Sequence, residues 1–180
     1  LLASKNPAIV AESIGRDPAG YDATVELAEL LSIPVSECRW LDFTNFPKEH
    51  PLYQGMGELE YLHDADVVLT LRARAPWTPA SAKPANATIV NIDEAPFRPH
   101  MVYQSLQADV FLEGDAVATL QALIAAIRAR GVDDAAVAER RDRWSKGHDA
   151  LVARKQAQAD DALAQETISP IGLCATLGDV

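Results

Sequence analysis

The sequence predicts an α/β fold built on a parallel sheet of about six strands, with helices on both faces and a further C-terminal helix. Apolar runs rich in β-branched residues occur at 8–11, 65–71 and 87–92, a pattern typical of strands buried on both faces. Segments of helical periodicity lie between and after these runs. With 180 residues, 48% of them hydrophobic, the chain can bury a substantial core, and alternating strands and helices favour a three-layer arrangement.

The first strand precedes a predicted helix. Asp17 and Pro18 are a suitable cap and first helical residue, and Leu27, Leu30 and Leu31 form an apolar face at helical spacing. A weaker strand candidate follows at 34–37. The order is that of a β-α-β unit, in the doubly wound style called Rossmann-like.

An unusual segment follows at 43–57. Pro47 and Pro51 restrict the backbone, so we predict an ordered loop, neither helix nor strand. Gly55 and Gly57 would then permit a tight entry into another helix.

After the strands at 65–71 and 87–92, the run at 102–112 is a weaker strand candidate. Asp115 can cap a helix that ends at Gly131. The apolar face of this helix is predicted to comprise Val117, Leu120, Ile124 and Ile127.

Beyond residue 132 the sequence becomes polar. Val137, Trp144 and Leu151 recur every seven residues, which is typical of a helix lying across a surface. We interpret Arg140, Arg141 and Arg143 as part of its solvated side. The predicted division is a central α/β domain at 1–131, a surface or linker helix at 132–167, and the start of another domain at 168–180.

Charge and cysteine content restrict the possible partners. The formal net charge of −10 disfavours nucleic acids and anionic membranes as partners. Cys38 and Cys174 lack CxxC spacing and fit reduced thiols, so we expect a cytoplasmic protein. The four histidines have no spacing typical of a zinc site, and no Gly-x-Ser-x-Gly turn is present.

The segment Asn45-Phe46-Pro47, followed after two residues by His50-Pro51-Leu52 and then Gly55, resembles the central domain of thiamine-diphosphate-dependent enzymes of the acetolactate synthase and benzoylformate decarboxylase type. Similar passages occur in order at 6–10, 30–35, 64–69, 89–93 and 114–115. Together the resemblance covers roughly residues 3 to 130.

The resemblance implies a three-domain parent subunit that acts on a 2-oxo acid or related acyl donor. Thiamine diphosphate and Mg²⁺ would be held by the two flanking domains, whose motifs do not occur here. This chain alone is therefore expected to be non-catalytic, to contain no metal site, and to have as partners the flanking domains of its own subunit within a homo-oligomer. Residues 168–180 resemble the entry to the diphosphate-binding domain.

Central domains of this type hold FAD or ADP, or nothing, beyond the carboxyl ends of their strands. In this sequence the candidate cofactor-binding residues are Ser13, Gly15, Arg72, Arg74, Asp93 and Glu94. The arginines could pair with a pyrophosphate and an acidic side chain could accept from ribose. The alternatives are salt bridging for the arginines and capping of the following turn for Asp93.

Two other functions remain open on sequence alone. One is a free-standing nucleotide-binding module. The other is a small hydrolase or transferase, which would require a pocket with strongly perturbed acid–base residues.

Overall fold

Six parallel strands form a single sheet in this computed structural model, which describes residues 1–39, 41–57, 60–77, 79–97 and 108–178. Their order across the sheet is β3-β2-β1-β4-β5-β6. The predicted fold class is confirmed. The strands are β1 (Pro7–Ala11), β2 (Val35–Glu37), β3 (Tyr53–Met56), β4 (Val67–Leu71), β5 (Thr88–Asp93) and β6 (Val110–Glu113).

Helices α1 (Pro18–Leu31), α2 (Ala116–Arg130) and α3 (Asp134–Leu163) each begin after an aspartate, and a shorter helix, α4 (Pro170–Gly178), packs on α3. Asp17, Asp115 and Asp133 accept hydrogen bonds from backbone N–H groups in the first turns of α1, α2 and α3. These caps satisfy donors that a helix leaves free at its start.

One face of the sheet carries α1 and α2. The core on this side joins alternate strand residues to the inner faces of both helices, including Ile9, Leu69 and Ile92 from the strands and Leu27, Leu31, Leu120, Ile124 and Ile127 from the helices. All eight are buried. Of the apolar faces predicted for the two helices, Leu30 and Val117 are only half-buried, and the other members are confirmed as buried.

The opposite face has a thinner cover than we predicted. Ala8, Val68 and Ile89 pack there against Leu62 and Trp77. Within the described ranges, helical cover on this face consists of the 3₁₀ turns Glu60–Asp64 and Ala80–Ala82 rather than α-helices.

The segment at 43–57 differs from its prediction, because its last residues form strand β3. Tyr53 pairs with Val35 of β2, and Met56 pairs with Glu37. Pro47 and Pro51 both precede Tyr53, so neither lies among the paired residues and neither removes a hydrogen bond from the sheet. Of the strand predicted at 102–112, residues 102–107 lie outside the described part; the rest overlaps β6.

Helix α3 crosses the outside of the domain as predicted, but its arginines are not simply solvated. Arg140 Nε donates to the Leu31 carbonyl oxygen over 2.9 Å, and Arg141 Nη2 donates to the Glu29 carbonyl oxygen over 3.2 Å. These are carbonyls in the last turn of α1, where the helix dipole favours positive charge. Arg141 is exposed, as predicted, whereas Arg140 is half-buried, so the prediction of a solvated side was wrong for Arg140.

Across the described residues, no helix is long and apolar enough to cross a membrane.

Candidate functional site

The crevice expected for a ligand lies beyond the carboxyl ends of β1 and β4, where the strand order reverses direction. Strand β1 is followed by Ser13 and Gly15, and β4 by Arg72 and Arg74, while β5 ends at Asp93 with Glu94 next to it. The fold therefore brings the six predicted residues to the same side of the sheet, at the carboxyl ends of the strands.

Arg72 forms a forked ion pair with Glu94. Arg72 Nε donates to Glu94 Oε2 over 2.8 Å, and Nη2 donates to Oε1. The backbone of Arg72 has a φ of 48°, a left-handed conformation that is rare for a residue with a side chain. Arg72 is 7% exposed, so the pair neutralises a cation that would be costly to bury alone.

Glu94 also links the crevice to helix α2. Its Oε1 accepts a hydrogen bond from the Ala116 N–H, in the first turn of that helix, over 3.1 Å. Burial by itself would raise the pKa of Glu94, but the hydrogen bonds from Arg72 and Ala116 lower it to about 2. Glu94 is therefore ionised at neutral pH and committed to both donors.

Arg74 pairs with Glu12, the first residue after β1. The Arg74 N–H donates to Glu12 Oε2 over 2.6 Å, and its Nε donates to Oε1. Glu12 is only 2% exposed.

Burial first, and then the charge of Glu12, raise the pKa of the neighbouring Cys38 thiol well above its usual value. Cys38 is therefore a neutral thiol at physiological pH.

Gly15 is used for close packing between loops. Its N–H donates to Asn45 Oδ1 over 2.9 Å, and a Cβ at this position would lie 1.9 Å from the carbonyl oxygen of Thr44. The absence of a side chain lets the loop after β1 contact the loop after β2. The Gly15 N–H, which could otherwise have approached a phosphate, is therefore already bonded to Asn45.

Asn45 is a structural residue that the sequence analysis did not single out for its own contacts. Besides receiving the Gly15 bond, its Nδ2 donates to the carbonyl oxygens of Glu12 and Phe43, each over 2.8 Å. Its N–H donates to Glu37 Oε1 over 2.8 Å. The signal was present in the sequence, because Asn45 begins the motif that carried the family resemblance.

Glu37 is a second residue that the sequence analysis missed. It is fully buried at the end of β2, where it pairs with Lys48 and accepts a hydrogen bond from Tyr53 Oη over 3.2 Å. A buried carboxylate at a strand end is stable only with such partners. In the sequence, the available signal for such a residue was an acidic side chain at the end of the strand predicted at 34–37.

The remaining predicted residues have modest roles. Asp93 Oδ1 accepts from the Ala95 N–H over 2.8 Å, which is the turn cap that we considered as an alternative. Ser13 is half-buried, and its side chain forms no capping bond to the 3₁₀ turn Ile14–Arg16. Among the six predicted residues, one buried side-chain atom, Arg72 Nη1, has no hydrogen-bond partner in the described part of the chain.

The part of the chain that the structure describes contains no group of three or more His, Cys, Asp or Glu side chains able to hold a metal ion.

Comparisons with known proteins agree with this architecture. The sequence profile described as thiamine pyrophosphate enzyme, central domain, matches residues 1–123. A solved structure described as a thiamin diphosphate-dependent enzyme from Mycobacterium smegmatis is 29% identical, with a TM-score of 0.55 over 70% of this chain and 25% of that chain. Among curated proteins, no sequence matches.

A second solved structure, benzoylformate decarboxylase from Polynucleobacter necessarius, is 24% identical, with a TM-score of 0.54 over 70% of this chain and 25% of that chain. At that identity the likeness concerns the fold. This chain thus corresponds to a quarter of each of the two solved chains. The profile match covers more than half of the chain, in the segment that forms the parallel sheet, and the chain therefore belongs to the central-domain family of thiamine pyrophosphate enzymes.

Proposed function

We propose that this domain has an architectural role: it holds apart the two flanking domains of its own subunit and contributes no catalytic group. The observation that carries this proposal is the internal pairing at the crevice. Arg72 pairs with Glu94, Arg74 pairs with Glu12, and the Gly15 N–H is bonded to Asn45. A nucleotide would have to displace two carboxylates that are already hydrogen-bonded to the arginines, one of which, Glu12, is also buried.

We further propose that the parent enzyme uses thiamine diphosphate with Mg²⁺, held by other domains, to form or cleave a carbon–carbon bond beside a carbonyl group. Family membership supports the thiamine cofactor. Transferase or lyase activity on a 2-oxo acid, a cytoplasmic location, a homo-oligomer and the division at 131 and 167 remain part of the proposal, as does residue 168 as the entry to a diphosphate-binding domain.

A second function, binding of FAD or ADP in the crevice, is favoured by one observation. Arg72 Nη1 is a buried donor without an acceptor, and a phosphate oxygen is a suitable partner for a guanidinium. Binding would still require Glu12 and Glu94 to release part of their bonds. The family match favours neither a free-standing nucleotide module nor a small hydrolase.

Calorimetric titration of the purified chain with ADP, FAD, and thiamine diphosphate plus Mg²⁺ tests these functions. We expect no saturable heat with any of them up to about 1 mM, a concentration that corresponds to roughly −4 kcal/mol of binding free energy. Binding of ADP or FAD that is lost in Arg72→Gln but kept in the exposed-site control Arg130→Gln would establish the nucleotide function instead. Uptake of thiamine diphosphate would contradict the assignment of its ligands to other domains.

A further inference from the structure

A second concave site lies far from the crevice in the sheet order, at the edge strand β3. It is a cavity of about 420 Å³ between β3 and helix α3, lined by Tyr53, Gly55, Met56, Leu151, Arg154, Lys155 and Gln158. No carboxylate is among these residues. Two strands, β2 and β1, separate this edge from β4 and its arginines.

Positively charged side chains lie around this cavity, although the net charge of the protein is −10. Lys155 Nζ lies 5.5 Å from the centre of the Tyr53 ring, and Lys48 Nζ lies 4.7 Å from the same ring centre. Arg154 is exposed nearby. Within the described residues, neither Arg154 nor Lys155 forms an ion pair. The site thus contains two cations that lack a counter-charge.

A buried acid beside the cavity, Glu37, already has its partners. Glu37 is paired with Lys48 and bonded to Tyr53 Oη and to the Asn45 N–H. Burial, and after it the charge of Lys155, lower the pKa of the Lys48 ammonium, whereas the charge of Glu49 raises it. An added anion near Lys155 would reduce the repulsion between the two ammonium groups.

The lining also offers apolar surface. Met56 is 51% exposed at the rim of the cavity, whereas Tyr53 and Leu151, at 2% and 7% exposure, form the packed wall behind it. A volume of this size accommodates a small organic molecule. Cations beside an exposed apolar side chain suit a ligand with one anionic group and an apolar body.

We propose that this cavity binds a small organic anion, with its carboxylate or phosphate held by Arg154 and Lys155 and its apolar part packed against Met56. This site shares no lining residue with the crevice, so the proposal does not depend on whether a nucleotide binds there.

Titration of the ¹⁵N-labelled chain with benzoate and with phenyl phosphate, followed by NMR at the Gly55 and Lys155 amides, tests the proposal. Neutral benzamide is the matched ligand control. We expect saturable shifts for at least one anion and at least about tenfold weaker binding of benzamide, because a charge-assisted hydrogen bond contributes on that scale. The tighter of the two anions identifies the preferred head group.

Variants separate the site from non-specific charge. Arg154→Gln and Lys155→Gln should each weaken anion binding about tenfold, whereas Arg130→Gln, an exposed cation at the end of α2, should leave it unchanged. Thermal melting of each variant confirms the fold. Equal binding of benzamide, equal loss in Arg130→Gln, or no saturation by either anion would overturn the proposal. So would tight binding of an acidic peptide such as hexaglutamate when neither small anion binds, since the site would then serve a protein partner.

Discussion

The imidazole of His148, on helix α3, lies with Nδ1 2.9 Å from the carbonyl oxygen of Tyr53 on the edge strand β3. Because that oxygen is an acceptor, Nδ1 carries the proton and donates. One turn earlier, the Trp144 carbonyl oxygen accepts from Gln54 Nε2 over 3.0 Å. Helix α3 thereby covers an edge strand whose backbone groups would otherwise be open to pairing with another chain.

His148→Ala should lower the free energy of unfolding by about 2 kcal/mol, because a 7%-exposed side chain and its hydrogen bond to the sheet are both lost. Urea denaturation followed by circular dichroism measures the change. Asp149→Ala, at the exposed neighbouring position, is the control and should stay within about 0.5 kcal/mol of the parent chain. An equal effect of the two substitutions would contradict the role given to His148.

Gly15→Ala should destabilise the domain by about 3 kcal/mol, since the new Cβ would collide with backbone atoms of Thr44 and Asn45 that have little room to shift. Gly178→Ala is the matched control, because a Cβ there meets nothing within 4 Å. The control should be neutral or slightly stabilising. Thermal and urea unfolding measure the stability of both variants. An unchanged free energy of unfolding in Gly15→Ala would mean that the two loops do not pack as described.

Asn45→Ala should cost about 3 kcal/mol, because it leaves the Gly15 N–H and the Glu12 carbonyl oxygen, both internal, without their partner. Asn45→Asp should be worse still at neutral pH, since it places a second carboxylate beside the buried Glu37. Asn86→Ala, at an exposed turn, serves as the control for loss of an asparagine side chain.

The Glu94 pair with Arg72 should make part of the stability depend on pH. The folded-state pKa of Glu94 is lowered to about 2 from an ordinary value near 4.5, so its contribution is present above about pH 4.5 and disappears as the pH falls towards 2. Glu94→Gln should be less stable than the parent chain at pH 7, and the difference should shrink steadily between pH 4.5 and 2.

Urea midpoints at pH 7, 4.5, 3 and 2 measure that convergence. Glu113→Gln, at an exposed carboxylate at the end of β6, should give a pH profile parallel to that of the parent chain. A constant gap between Glu94→Gln and the parent chain across this range would show that the ion pair does not lower the pKa.

Much of the fold was predictable because its main signals are local. The aspartates that begin α1 and α2 and the apolar stripes behind them are properties of one segment each, and so are the short strands β1, β4 and β5. Strand β3 was missed because its four residues follow two prolines and contain a glycine, which together indicate a loop. Only pairing with Val35 and Glu37 makes this segment a strand, and pairing is not local information.

The candidate site was predictable in position but not in its internal pairing. The order of strands and helices places Arg72, Arg74 and Glu94 at one edge of the sheet, and the sequence indicated this. It could not show that Glu12 reaches Arg74, 62 residues away, or that Asn45 joins the loops after β1 and β2. The hydrogen bonds of Arg140 and Arg141 in α3 were missed for the same reason, since their acceptors lie in α1, over a hundred residues earlier.

The described contacts that fasten helix α3 to α1 and β3 lie mainly in its first part, at Arg140, His148 and Leu151, while the side chains of residues 152–158 are exposed. Near its end, Ala162 is buried where α4 packs on α3. The twelve residues from 152 to its end at Leu163 span about 18 Å at 1.5 Å per residue. Because displacement grows with distance from a pivot, any rotation of the fastened turns together with β3 would carry Leu163 and α4 further than it carries His148.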